Sequence, residues 1–111
     1  MKESEFIKNT VADYFRVPIE GMESGSRKRE LVRARHIAMD CFILLTDLTL
    51  SKIGKEFNGK DHASIIFACK SVNNQAYYYP EYRYNFKELL SKLGWYNTEF
   101  SRYENYDTDK I

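Results

Sequence analysis

The sequence predicts an all-α protein, a helical bundle built around a helix-turn-helix. Three observations carry this. Apolar residues recur at three-to-four spacing along most of the chain. No stretch alternates with period two over a strand length. Only five Gly and two Pro interrupt the 111 residues, so long helices are not obstructed.

The elements follow in order. "EFIKNTVADYFRV" sets Phe6, Ile7, Val11, Tyr14 and Phe15 at helical spacing and predicts a helix from Glu5 to Arg16. Pro18 disfavours helix at Val17 and can open a short turn, which Gly21 should end. Ser24 or Ser26 is expected to cap the next helix, with Glu30 in its early turns. That helix, "RELVRARHIAMDCFILLTD", should be the longest and the spine of the domain. Leu31, Ala34, Ala38, Cys41, Phe42 and Leu45 mark its core face. Arg29, Arg33, His36 and Asp40 line another.

"DLTLSKIGKEF" predicts a short helix capped by Thr49, with Leu50, Ile53 and Phe57 inward. Asn58 and Gly59 tolerate positive φ and predict a tight turn. "DHASIIFACKSV" is the next helix, with Ile65, Ile66, Cys69 and Val72 inward and Ala63, Ser64, Phe67 and Lys70 exposed. "NNQAYYYPEYRYN" predicts a loop or helix end stopped by Pro80. Its interleaved Tyr and Arg suit either stacking on unpaired bases or packing of a last helix onto the core, and packing is the preferred reading. "YNFKELLSKLG" is that last helix, with Phe86, Leu89, Leu90 and Leu93 inward and Gly94 as the stop. Residues 1–93 are expected to form one domain and residues 94–111 an acidic aromatic tail.

Composition excludes several classes. Apolar residues are 43% and charged residues 30%, which fits one soluble domain with a small core. No apolar run approaches the ~18–20 residues that span a bilayer, so no membrane partner is expected. The N-terminus has no signal-peptide core, and a cytoplasmic protein is the expectation. Cys41 and Cys69 lie inside apolar periodic stretches and read as buried, reduced thiols. No pair among them, His36 and His62 has metal-ligand spacing, so neither a metal nor another cofactor is expected. The adjacent Asp61 and His62 lack a nucleophile at a plausible position, so no catalytic residue is assigned and no enzyme is expected.

The net charge of +1 hides an asymmetry. Residues 1–24 carry a net charge of −2, residues 25–70 of +4 and residues 71–111 of −1. The excess is concentrated in "SRKRELVRAR", where five arginines and lysines face Glu30. Such a stripe suits a polyanion, although a solvated helix face would look the same. Downstream, a short helix, a Gly-containing turn and a second helix make a helix-turn-helix. In DNA-binding versions the second helix presents its N-terminal residues to base edges. "KDHAS" before "IIFAC" has that layout, polar at the tip and apolar behind.

"SRKRELVRARHIAM", "LTLSKIG" and "GKDHASIIFAC" together resemble the C-terminal DNA-binding domain of the bacterial replication initiator DnaA. The resemblance covers residues 8 to 93. It implies a helical bundle similar in core to the tryptophan repressor, recognition of a short box in double-stranded DNA, a role in replication initiation or its regulation, and a bacterial, phage or mobile-element origin. It implies that Arg27 reaches the minor groove, that Asp61, His62 and Ala63 read the major groove, and that Ser64 meets a phosphate. Lys60, Arg35, His36, Thr46 and Leu50 match further backbone-facing or groove-facing positions, beside the phosphate contacts expected of Lys28, Arg29 and Arg33. The chemistry is sound: a carboxylate accepts from a cytosine amino group, and an arginine suits a narrow minor groove. Plainer roles stay open. Asp61 could only cap its helix, His62 could be a packed surface histidine, and Ser64 could be solvated polarity. No Gly-x-x-x-x-Gly-Lys-Ser/Thr loop occurs in the sequence, so the initiator's ATPase chemistry and nucleotide binding are not carried over.

Three departures bear on what is read. Ala63 stands where the family has Thr or Ser, Phe67 where a His is common, and Ile43 where a polar or basic residue is frequent. A shifted or relaxed box follows as a hypothesis. Phe67 and the aromatic tail also motivate an alternative, a protein-interaction module that kept the fold and lost the reading.

Overall fold

The computed structural model describes residues 2–94. Residues 95–111, expected as a tail, lie outside the described residues. The element order is α1 (Lys2–Phe15), α2 (Ile19–Glu23), α3 (Arg29–Leu45), α4 (Leu50–Glu56), α5 (His62–Tyr78) and α6 (Pro80–Lys92). Among the described residues there is no strand.

The amphipathic patterns become one core. α3 sits at the centre, packed most extensively on α5, then on α1, with α2 across its N-terminal half. Ile7, Val11, Met22, Ala34, Ala38, Phe42, Ile53, Phe57, Ile65, Val72, Phe86 and Leu89 interlock in a single buried cluster. Each fully buried Phe, Ile or Leu removes enough apolar surface from water to contribute about 1.5–3 kcal/mol. Phe42 of α3 meets Phe57 edge to face, with centroids 5.7 Å apart. That contact fixes the end of α4 against the central helix. Both Cys41 and Cys69 are buried.

Several expectations are corrected. α1 stops at Phe15, not Arg16, because Arg16 is left-handed (φ 57°) and the Val17 amide donates back to the Ala12 carbonyl. Gly21 does not end a turn. It lies inside α2, where an added Cβ would meet the Leu31 methyls at 3.1 Å, so its bareness lets α2 approach α3. Neither serine caps α3. Lys28 holds the N-cap position with no side-chain cap bond. The Ser24 hydroxyl donates to the Gly21 carbonyl and accepts from the Ser26 amide, and the Ser26 hydroxyl accepts from the Lys28 amide. These bonds fold the 24–28 loop upon itself.

Asp40 continues the face of Arg29 and Arg33 but is wholly buried, because α3 is enclosed on several sides from Ile37 to Phe42. Ile66 points outward, 41% exposed. α3 is matched in length by α5, which runs 17 residues to Tyr78. Pro80 stops α5 and at the same time opens α6, since proline needs no amide partner at the first helical position. The tyrosine run therefore divides. Tyr82 is buried in the core, whereas Tyr77, Tyr78, Tyr79 and Tyr84 are exposed.

A polar clamp joins three elements outside the core. The Lys8 ammonium of α1 lies 2.6 Å from Glu23 of α2 and 2.8 Å from Glu56 of α4. Burial alone would lower its pKa, but the bonds to Glu23 and Glu56 outweigh burial and raise it.

The turn between α4 and α5 has the tightest constraint. Thr49 caps α4 by accepting from the Lys52 amide at 3.2 Å. At the other end the Gly54 carbonyl receives the amides of Phe57, Gly59 and Lys60, each at 3.0 Å. Asn58 and Gly59 both take positive φ to bring those amides round. Gly54 is buried, and a Cβ there would lie 1.9 Å from the Lys60 carbonyl oxygen. Any side chain must push the turn off α4. Gly54→Ala is expected to destabilise the fold by about 3 kcal/mol, the upper range for overpacking. Gly59→Ala, with open space around the Cβ, is expected to cost only about 1–2 kcal/mol of left-handed strain. Urea denaturation of the two variants checks the order; equal stability would contradict the close approach.

Candidate nucleic-acid interface

The α4–turn–α5 unit aims the start of α5 away from the core. Asp61, His62 and Ala63 are exposed there, while Ser64 and Lys60 are half-buried. Ile65, Ala68 and Val72 behind them are wholly buried. The tip is thus polar and fixed by an apolar root.

Asp61 caps α5. Its Oδ1 accepts from the Ser64 amide at 2.9 Å. That backbone bond, with the Ser64 hydroxyl contributing, lowers the Asp61 pKa and keeps it a carboxylate. The cap uses one of the roughly four lone-pair sites of an ionised carboxylate, and the side chain is open to solvent. Capping and a further contact are therefore compatible.

The 24–28 loop is brought beside this tip. A depression of about 620 Å³ is lined by Arg27 of that loop, by His36 of α3, and by Lys60, Asp61, Ala63 and Ser64. Val32, Met39 and Phe67 supply its apolar lining. Arg27, Lys28 and Arg29 are all exposed. Residues some thirty-five positions apart thus form one basic-edged concavity.

The other sequence-predicted residues carry further contacts. Arg35 also lines the depression, but it is 4% exposed, and its Nε and Nη2 donate to the carbonyls of Met22 and Gly21 at 2.7 and 3.3 Å. Its charge anchors α2 and the root of the basic loop. Arg33 is exposed, but its guanidinium rests over the rings of Phe15 and Tyr82, 5.3 and 5.5 Å from their centroids. Thr46 and Leu50 lie at the α3–α4 junction, outside the depression. The Thr46 hydroxyl donates to the Phe42 carbonyl at 2.7 Å and accepts from the Leu48 amide. Leu50 is partly buried against the core. Among the described residues no cluster of His, Cys, Asp and Glu could hold a metal ion, and no helix is long and apolar enough to cross a membrane.

Sequence reasoning missed Gly54 and the far end of α5. Phe67, Ser71, Gln75 and Tyr79 follow at a strict four-residue interval and line one groove. The interval was in the sequence, but it becomes a helix face only because α5 continues past Val72.

A helix-turn-helix with a basic loop folded beside the tip of its second helix defines the class. The comparisons agree with it. The family model described as the bacterial dnaA protein helix-turn-helix matches residues 4–72, and the chain belongs to that family. Among its relatives are chromosomal replication initiator proteins DnaA. That of Chromobacterium violaceum is 34% identical over 87 residues, covering 78% of this chain and 19% of the relative. That of Flavobacterium psychrophilum is 39% identical over 70 residues, 63% of this chain and 15% of the relative. That of Microcystis aeruginosa is 42% identical over 69 residues, 62% and 16% respectively. The chain spans less than a fifth of the length of these curated relatives.

His36 yields a prediction on stability. Burial first, then the positive charges of Arg35 and Lys60, lower its pKa below 6.5. The folded protein therefore resists protonating it more than the unfolded chain does. Its stabilising contribution is complete above pH 6.5 and is lost as the pH falls through the depressed folded value. The melting temperature should drop on acidification below pH 6.5, before the carboxylates titrate, and His36→Gln should flatten that drop. Identical slopes in the two proteins would contradict this environment.

Proposed function

We propose that this chain binds double-stranded DNA in a sequence-specific way at sites of the DnaA-box type, in replication initiation or its regulation. The observation that carries the proposal is the joining of Arg27 to Asp61, Ala63 and Ser64 around one depression, with His62 exposed at the same tip. α5 enters the major groove by its N-terminus, with Asp61, His62 and Ala63 at base edges. Arg27 follows the backbone into the adjoining minor groove, where negative potential favours a guanidinium. Lys28, Arg29, Lys60 and Ser64 neutralise or hydrogen-bond phosphates, fixing the register. His36 forms the wall between the two groups.

Family membership supports this reading, since the relatives' printed name is that of a replication initiator. Nucleotide hydrolysis is not part of the proposal, because the phosphate-binding loop it needs is not in this sequence. Ala63 offers a methyl to a thymine methyl where a hydroxyl could donate, so the preferred box is expected to differ at that step.

Two experiments test the reading. In a titration against a box-containing duplex, Arg27→Ala and His62→Ala should each weaken binding by roughly 1–3 kcal/mol, with affinity falling steeply as salt rises. Parental affinity in both variants would refute the site. If no duplex shifts at low salt while the chain forms a stable protein complex, the interaction-module reading, favoured by the 63% exposed Phe67, replaces it. Asp61 separates its two roles. Asn also caps helices well, so Asp61→Asn should leave thermal stability within about 0.5 kcal/mol while changing base preference at one position. An unchanged preference would reduce Asp61 to a cap.

A further inference from the structure

A larger groove of about 890 Å³ adjoins the depression and shares Arg27, Val32, His36 and Phe67 with it. It runs between the start of α3, the middle of α5 and the start of α6. We propose that this groove is a second nucleic-acid site, which takes the unpaired nucleotides of a single strand.

The two sides of the groove differ in chemistry. One side carries Arg27, Arg29 and Arg33, a track of guanidinium groups suited to phosphates. The Arg33 guanidinium is held in place by the Phe15 and Tyr82 rings. The other side is the four-residue row that starts at Phe67 of α5 and ends at Tyr79, the residue that caps that helix. Both residues are exposed, 63% and 61%, with Phe67 meeting the His36 ring edge to face at 5.8 Å between centroids. At 1.5 Å rise per residue they stand about 18 Å apart, a span for several nucleotides. Between them Gln75, and across from it Asn85, offer amide donors and acceptors to base edges.

An open ring face at a basic track is what a single-stranded base requires, and duplex bases, already stacked on both sides, cannot use it. Glu81 lines the α6 edge, so phosphates are favoured along the α3 side. An acidic peptide would satisfy the arginines but leave both ring faces and the amides without use. The proposal rests on the duplex reading only for its placement: a strand leaving the α5 tip enters this groove past Phe67.

The test uses the full chain, a fluorescein-labelled oligothymidine of about 15 nucleotides, and anisotropy at low salt. Oligothymidine should bind. Tyr79→Ala should weaken that binding about tenfold, and Tyr79→Phe, which keeps the ring, should restore it. Gln75→Ala, on the helix surface and away from the α5–α6 junction, should weaken it about threefold, which keeps the test open if Tyr79→Ala unfolds. Blunt duplex binding should be unchanged by Tyr79→Ala. No binding of oligothymidine, or equal binding by parent, Tyr79→Ala and Gln75→Ala, overturns the proposal. So does tighter binding of poly-glutamate that is lost in Tyr79→Ala, which would make the groove a peptide site. Failure here with duplex binding intact sinks this site alone; duplex failure with oligothymidine bound sinks the reading above.

Discussion

The close approach of Gly54 to the Lys60 carbonyl is the constraint on which the rest of the structure depends. A hydrogen stands where any other residue would place a carbon 1.9 Å from that oxygen. Only then can one carbonyl collect three amides and draw the chain back over the end of α4. Asn58 and Gly59 supply the positive φ values the reversal needs. The direction of α5 follows, and with it where the Asp61–Ser64 tip stands. The tip's chemistry comes from four polar or small residues, but its placement comes from a glycine with no functional group.

A second anchor works on the opposite wall. Arg35 belongs to the basic stripe by composition, yet it is turned inward to two backbone carbonyls of α2. Charged hydrogen bonds of this kind are roughly twice as strong as neutral ones. They fix the place from which the 24–28 loop departs, and the serine bonds within that loop do the rest. Arg27 is consequently delivered beside the tip by a buried arginine of the same run. Within one basic stretch, then, Arg35 holds α2 and the root of the loop, Arg33 rests its guanidinium on aromatic rings at the surface, and Arg27, Lys28 and Arg29 are exposed beside it.

The helices, the Asn-Gly turn and the polar tip were legible in the sequence because each rests on local periodicity or on turn chemistry. The Thr49 cap was legible for the same reason. Arg35 was not: side-chain spacing locates a face, but it does not say whether a neighbour such as α2 covers that face. Asp40 escaped in the same way, since a central helix buried on several sides breaks the rule of one polar face. The tyrosine run misled because Pro80 reads equally as a stop and as a first helical residue. Gly54 carried no signal at all, as a glycine inside a helical pattern reads as a mild defect until the contact it permits is seen.

Sequence selectivity is the central claim, since both the tip and the basic loop are exposed for it. The most direct measurement is selection by the whole chain from a pool of duplexes with a randomised centre. One short motif should emerge, flanked on one side by A·T pairs where Arg27 would enter a narrow minor groove. A retained pool whose sequences stay random would contradict the account, leaving a helix-turn-helix that holds phosphates and reads nothing.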